Sequence, residues 1–184
     1  MATAIAPSES TITTSDQFVL FEQTWTCANP KGVVLITHGI AEHSGRYDHV
    51  AHSLVAGGYT VVGFDLRGHG RSTGNRNYIN SFQDYLNELQ DVLDQTKEKY
   101  KGSPLFLFGH SMGGGIVTLF TIERNPDVKG ILLSAASVKV SDDISPMLQK
   151  VSGFLSAILP KLPVITLDSK DISKDPEVVK AYDN

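Results

Sequence analysis

Cysteine is almost absent from this sequence, in which Cys27 stands alone among 184 residues. A single thiol excludes an internal disulfide and any metal site built from paired thiolates, and it suits a reducing compartment without requiring one. We interpret Cys27 as a packing residue.

Long hydrophobic segments are lacking too. Residues 1–16 have no basic start followed by an apolar core, so they are not typical of a secretory signal, and we expect a disordered lead-in. The longest apolar stretch, residues 151–165, is interrupted by Gly153, Pro160 and Lys161 and is shorter than the ~20 residues that span a bilayer. We therefore expect a cytoplasmic protein in which nothing crosses a membrane.

An excess of positive charge is also missing, because 16 Lys and Arg face 20 Asp and Glu, for a formal net charge of -4. Such a balance offers no polyanion-binding surface, so nucleic acid is not an expected partner. The 41% hydrophobic content suits one domain with a sizeable core, and the length is too short for two ordinary ones.

The sequence does contain a regular alternation of strand and helix patterns. Short continuous apolar runs, typical of strands buried on both faces of a parallel sheet, lie at residues 33–36, 60–64, 105–108 and 131–133. Helical periodicity is found at residues 47–55, 82–93 and 112–124, the second of these segments preceded by the capping signal Ser81-x-x-Asp84. We predict a doubly wound, mainly parallel α/β sheet, preceded by one or two edge strands over residues 17–25.

The pattern changes after Ala136. An apolar stripe of helical period covers residues 144–159, and Asp175-Pro176 then signals the start of a short helix. We interpret residues 17–136 as the core and residues 137–184 as a helical cap that covers the edge or the active face of the sheet.

The pentapeptide Gly109-His110-Ser111-Met112-Gly113 has the pattern G-x-S-x-G, which places a serine in a strained turn between a strand and a helix. Bulk at either flanking glycine would collide with the neighbouring backbone, and the turn projects the hydroxyl outward. A buried strand precedes the motif and a helix follows it. This context favours Ser111 as a nucleophile over a simple turn serine.

A serine nucleophile needs hydrogen-bond donors where negative charge develops on the carbonyl oxygen of the substrate. The backbone N–H of Met112 is one candidate, and that of Ile40, in the loop after the first buried strand, is the other. Gly39 lets this backbone approach closely. The alternative is a plain turn that ends the strand.

All six histidines precede Ser111, whereas in this kind of site the acid and then the histidine follow the serine. His38, His69 and His110 lie in turns beside the candidate site, where they are more typical of structural hydrogen bonding than of a catalytic base. His49-x-x-His52 lacks a matching carboxylate, so a solvated helix face is favoured over a metal site.

A glycine-rich loop covers residues 64–74 and raises the alternative of phosphate binding. It matches neither the dinucleotide fingerprint nor the P-loop, since it contains no Gly-Lys pair and has Thr73 where the third glycine would stand. We expect hydrogen bonds of Asp65 and Arg71 to tie this loop together instead.

Three segments together, HGIAEHSGRY (residues 38–47), FDLRGHGRSTG (residues 64–74) and GHSMGGG (residues 109–115), resemble the monoacylglycerol lipase branch of the α/β-hydrolases. That branch is close to lysophospholipases and to the serine aminopeptidase S33 group. The resemblance implies a serine esterase that cleaves a monoacylglycerol or another lipid ester through an acyl-enzyme, with no cofactor and no metal. It also implies an acyl tunnel under the cap. The apolar stripe of the cap favours peripheral contact with membranes or lipid droplets, and the alternative is that the stripe packs on the sheet.

The resemblance assigns roles to particular positions. The nucleophile is Ser111, the oxyanion donors are Ile40 and Met112, and the supporting residues of the site are His38, Gly39, Gly109, His110 and Gly113. The acid and the histidine of the family's triad lie beyond the cap, and this chain stops at Asn184 before either. We therefore expect an N-terminal portion of a longer hydrolase, without the C-terminal strands, inactive alone and prone to self-association or to pairing with the missing half.

Two other functions fit the same residues. The chain could be a non-catalytic lipid-binding or interaction fragment, or it could belong to a carboxylesterase or peptidase of the same fold.

Overall fold

The alternating segments form a six-stranded sheet in the computed structural model, which describes residues 6–139 and 174–183. The strands are β1 Ser8–Thr13, β2 Val19–Trp25, β3 Val33–Thr37, β4 Thr60–Phe64, β5 Leu105–His110 and β6 Gly130–Ser134. Their order across the sheet is β1-β2-β4-β3-β5-β6. Neighbours from β4 to β6 are parallel, whereas β2 is antiparallel to both β1 and β4. The predicted doubly wound, mainly parallel sheet is confirmed.

Helices cover both faces of this sheet. The helices of this part of the chain are α1 Asp48–Ala56, α2 Phe82–Lys99 and α3 Met112–Arg124, and a 3₁₀ turn at Ser44–Tyr47 precedes α1. Successive residues of β3 point to opposite faces: Val33 and Leu35 pack with α2 and α3, and Val34 and Ile36 pack with α1. Apolar side chains on both faces explain why the central strands are continuous apolar runs.

The ends of α2 and α3 follow from local sequence. The hydroxyl of Ser81 accepts the Gln83 N–H at 3.2 Å, and the carboxylate of Asp84 accepts the Ser81 N–H at 3.2 Å, so the predicted capping signal is confirmed. Helix α3 ends at Asn125, which has a φ of 41° directly before Pro126. The Ser81 cap satisfies a backbone N–H group that the first turn of α2 leaves unpaired. Pro126 disfavours a helical conformation in the residue before it, and this ends α3.

The expectation of a disordered lead-in is wrong for the residues that form β1. Strand β1 pairs antiparallel with β2 along its whole length, from Ser8 opposite Thr24 to Thr13 opposite Val19. An edge strand needs little apolar surface, and in β1 only Ile12 is buried. The polar, β-branched composition that looked like a lead-in is therefore sufficient for a strand at the edge of the sheet.

The expectation that residues 131–133 are buried on both faces is also wrong. Their side chains in β6 are exposed by 39% at Ile131, 41% at Leu132 and 44% at Leu133. Strand β6 pairs with β5 on one side and stands last in the sheet order of the described residues. The strand prediction itself is correct, but the side chains lack the second covering layer that an interior strand has.

The chain divides into two units, Met1–Lys139 and Val140–Asn184. The second unit contributes α4, Pro176–Asp183, whose first turn is capped by the Asp175 carboxylate accepting the Glu177 N–H at 3.0 Å. This is the short helix that the Asp-Pro pair predicts. The apolar stripe of residues 144–159 lies outside the described residues.

Candidate active site

Three strand ends meet at one edge of the sheet. In the register, Thr37 of β3 lies beside Gly109 of β5, and His110 of β5 lies beside Ser134 of β6. The loop after β3, the turn between β5 and α3, and the segment after β6 therefore converge at the carboxyl ends of parallel strands, where α/β sheets bind their ligands.

Ser111 occupies the turn between β5 and α3 in a backbone conformation that is rare for a residue with a side chain. Its φ is 50° and its ψ is -118°, and such strain costs about 1–3 kcal/mol and persists only where neighbours hold the conformation. The neighbours here are the last residue of β6 and the segment that follows it: the Ser111 N–H donates to the Ser134 carbonyl at 3.0 Å, and the Ser137 N–H donates to the Ser111 carbonyl at 2.9 Å. The half-buried hydroxyl has no hydrogen-bond partner among the described residues.

The glycines on either side of Ser111 allow the backbone to pack this tightly. A β-carbon at Gly109 would lie 2.5 Å from the Gly113 carbonyl oxygen, and one at Gly113 would lie 2.2 Å from the Thr37 carbonyl oxygen. Real β-carbons do not approach oxygen so closely. Glycine at both positions therefore lets the start of α3 contact the end of β3, which brings Ser111 beside the loop after β3.

The two candidate oxyanion amides are both unpaired. Neither the Ile40 N–H nor the Met112 N–H has a hydrogen-bond partner within the described part of the chain. Met112 is the first residue of α3, where the helix dipole adds positive potential for an anion. Gly39 lies next to Ser111, because a β-carbon built on it would be 3.2 Å from the Ser111 Cβ. Ile40 and Met112 stay our candidates for the oxyanion donors.

His38 is fixed in one protonation state. Its Nε2 accepts the Leu66 N–H at 2.9 Å, so Nδ1 carries the proton and donates it to the Gly39 carbonyl at 2.7 Å. Burial lowers the pKa of His38 to about 4. Neither nitrogen is left to accept a proton from Ser111, so His38 supports the loop after β3 and has no geometry for a general base.

The other histidines have different surroundings. His69 is buried, its Nδ1 lies 3.0 Å from the Arg67 carbonyl, and burial lowers its pKa. His110, half-buried beside Ser111, has its Nδ1 3.1 Å from the Ser134 hydroxyl. No histidine of the described ranges is hydrogen-bonded to the hydroxyl of Ser111. Residues 6–139 and 174–183 also contain no group of three or more His, Cys, Asp or Glu side chains that could hold a metal ion.

Asp65 joins the glycine-rich loop to the neighbouring 3₁₀ turn. Its buried carboxylate accepts the Arg71 N–H at 2.8 Å and both the N–H and the hydroxyl of Ser44 at 2.7 Å. The predicted tie between Asp65 and Arg71 is confirmed through the Arg71 backbone, whereas the Arg71 guanidinium pairs with Glu9 at 2.9 Å.

Sequence reasoning missed two residues of this site, Glu42 and Tyr47. The Glu42 carboxylate accepts the Gly39 N–H at 2.5 Å and the Tyr47 hydroxyl at 2.6 Å. An acidic residue three positions after a glycine can close a turn, but the spacing alone does not indicate that this turn touches the nucleophile.

The comparisons with known proteins agree with this geometry. Residues 28–184 match the family described as Serine aminopeptidase, S33. The chain belongs to this family. With this match and the sheet described above, the chain has an α/β-hydrolase fold, and the serine hydrolase resemblance seen in the sequence is confirmed.

Relatives within the family carry lipase names. The chain is 38% identical to a monoacylglycerol lipase of Mycolicibacterium smegmatis over 154 residues, which cover 84% of this chain and 55% of the relative. It is 31% identical to the human monoglyceride lipase over 172 residues, or 92% of this chain and 57% of that protein. The solved monoacylglycerol lipase of Paleococcus ferrophilus superposes with a TM-score of 0.73 at 31% identity, over 90% of this chain and 62% of that one. The chain thus spans just over half the length of the curated relatives it matches.

No helix within residues 6–139 and 174–183 has the length and apolar character needed to cross a membrane.

Proposed function

We propose that this S33 family chain carries the nucleophilic serine of an ester hydrolase that acts on a monoacylglycerol or a similar lipid ester. The Ser111 oxygen attacks the ester carbonyl carbon and gives its proton to a general base, and the oxyanion that forms accepts the N–H groups of Ile40 and Met112. The C–O bond to the alcohol then breaks, the alcohol takes up the proton, and water hydrolyses the acyl-enzyme.

The observation that carries this proposal is the conformation of Ser111. A strained serine with an unpaired hydroxyl, at the edge where strand ends meet and beside two unpaired amides, suits attack on a carbonyl carbon. Residues held in strained backbone conformations cluster at active sites, which supports this role for a serine with a φ of 50° and a ψ of -118°.

The lipid part of the proposal has separate support. The relatives named as monoacylglycerol or monoglyceride lipases align with most of this chain. Residues 137–184 would supply a cap over the acyl chain, and contact of that cap with a lipid surface from the cytoplasm belongs to the same proposal.

A second function is favoured by one observation, which is that no described histidine reaches the Ser111 hydroxyl. Without a base the serine stays a neutral alcohol, and the chain would bind lipid without cleaving it. This reading makes the chain a lipid-binding or interaction module.

Hydrolysis assays distinguish the two functions. We expect the 184-residue chain alone to hydrolyse monoacylglycerol and p-nitrophenyl esters feebly, since loss of one triad member can cost about 10⁶ in kcat. Supplying the C-terminal part of the M. smegmatis relative, fused or as a separate chain, should produce an esterase that Ser111→Ala abolishes. A peptide substrate tested in parallel separates ester from amide hydrolysis.

Strong turnover by the chain alone would require a base among the upstream histidines. Lipid binding without turnover, even with the added segment, would favour the binding module.

A further inference from the structure

Glu42 lies between the candidate oxyanion loop and the strand that carries the nucleophile. Its side chain is 10% exposed. One oxygen, Oε1, accepts both the Gly39 N–H at 2.5 Å and the Tyr47 hydroxyl at 2.6 Å. A β-carbon at Gly39 would lie 2.6 Å from this oxygen and 3.2 Å from the Ser111 Cβ. Gly39 therefore lies directly between the Glu42 carboxylate and the side chain of Ser111.

The hydrogen bond from the Gly39 N–H to Glu42 determines which backbone N–H groups of the loop are available to an oxyanion. The Gly39 N–H is occupied by Glu42, and the following N–H, that of Ile40, has no hydrogen-bond partner among the described residues. The Ile40 N–H shares a peptide plane with the Gly39 carbonyl, which accepts the His38 Nδ1–H at 2.7 Å. Glu42 holds the preceding plane through the Gly39 N–H, so the two residues together restrict the orientation of the Ile40 amide. We propose that Glu42 is a positioning residue that fixes this loop so that the Ile40 amide faces the developing oxyanion at Ser111; this inference rests on the function proposed above.

Tyr47 connects Glu42 to the strand that leads into Ser111. The Tyr47 ring is buried and packs edge-on against Phe108 and His110 of β5, with ring centroids 6.1 and 6.3 Å apart. Burial and the hydrogen bond to Glu42 raise the pKa of Tyr47, so the phenol keeps its proton and donates it. The contacts form one path from β5 through Tyr47 and Glu42 to the loop after β3.

A carboxylate this close to an oxyanion would oppose the reaction if its charge were not offset. Arg46 lies with its guanidinium 3.5 Å from the other Glu42 oxygen, which places a positive charge on the far side of the carboxylate. The acceptor geometry of Glu42, and not its charge, therefore performs the positioning. This predicts that glutamine, which keeps the Oε1 acceptor, replaces glutamate and that leucine does not.

The test compares Glu42→Gln, Glu42→Leu and Tyr47→Phe in the full 184-residue chain, with Glu98→Leu on the exposed face of α2 as the matched control. Two quantities are measured in each: the hydrogen-exchange rate of the Gly39 amide by NMR, and the second-order rate of phosphonylation of Ser111 by a fluorophosphonate, by intact mass. Ser111→Ala gives the background of the second measurement.

We expect Glu42→Leu to speed Gly39 exchange at least about tenfold and to slow phosphonylation by about 10²-fold, the effect of a lost oxyanion donor. Tyr47→Phe should give a smaller loss, and Glu42→Gln should stay within about threefold of the wild type. Unchanged Gly39 exchange in Glu42→Leu, or equal losses in the glutamine and leucine variants, would overturn the proposal. If the wild-type chain does not react at Ser111 even with the C-terminal part of the M. smegmatis relative added, the proposed function fails, while Gly39 exchange still decides the role of Glu42.

Discussion

The hydrogen bonds of His38 show how a single residue beside Ser111 can be committed to structure. Both ring nitrogens are used, and the ring lies 5.2 Å from that of His69 in a buried pair. A proton added to Nε2 would break the hydrogen bond from the Leu66 N–H, and the charged ring would be buried away from water. The residue thus holds the loop after β3 against the end of β4 only while it is neutral.

The stability of the chain should therefore depend on pH through His38. Its pKa falls from 6.5 in the unfolded chain to about 4 in the folded one. The neutral form stabilises the fold above pH 6.5, and this contribution is lost as the pH falls from 6.5 to 4, a difference of about 3 kcal/mol. Urea unfolding of the wild type and of His38→Gln, which keeps one donor and one acceptor, measures it between these pH values.

We expect the variant to lose less stability than the wild type over this window. If the free energy of unfolding of the two proteins changed equally with pH, protonation of His38 would not oppose folding.

Among the elements, those whose ends are set by local chemistry were predictable from the sequence. Ser81 and Asp84 mark the start of α2, and Asn125-Pro126 mark the end of α3, because capping and proline sterics act within a few residues. The position of Ser111 was predictable for the same reason. The glycines around it allow the close backbone contacts that this strand-to-helix turn makes.

What could not be predicted depends on contacts between distant segments. Strand β1 is set by its pairing with β2, and the exposure of β6 is set by what lies beside it in the sheet. The contact of Glu42 with the loop beside Ser111 depends on how the turn after β3 folds back onto β5. The periodicity of the sequence carries no information about such neighbours.

Strand β6 should make the 184-residue chain self-associate. Its apolar side chains are about two-fifths exposed, and within residues 6–139 and 174–183 its outer backbone groups form an edge that can template pairing with another chain. We expect Leu132→Lys to raise the monomer fraction in light scattering, because a charge on an edge strand opposes pairing.

Ile122→Lys, on the exposed side of α3, is the matched control, since Ile122 is 73% exposed but not in the sheet. A monomeric wild type, or an equal effect of the two lysines, would contradict a role for the β6 edge.

The molecule as a whole holds the candidate nucleophile Ser111 and the candidate oxyanion loop, and it spans 55% of the M. smegmatis lipase. Its six histidines all precede Ser111 in the sequence. A histidine base for Ser111 therefore comes either from one of these or from outside the 184 residues. The central claim, that Ser111 is the reactive group, does not depend on which of these is true.

Locating a covalent adduct tests that claim most directly. The chain is incubated with a fluorophosphonate, alone and with the C-terminal part of the M. smegmatis relative, and the modified peptide is identified by mass spectrometry. We predict one adduct, carried by Ser111, that forms slowly in the chain alone, faster by at least about 10²-fold with the added segment, and not at all in Ser111→Ala. An adduct on another residue, or equal labelling of Ser111→Ala, would contradict the account.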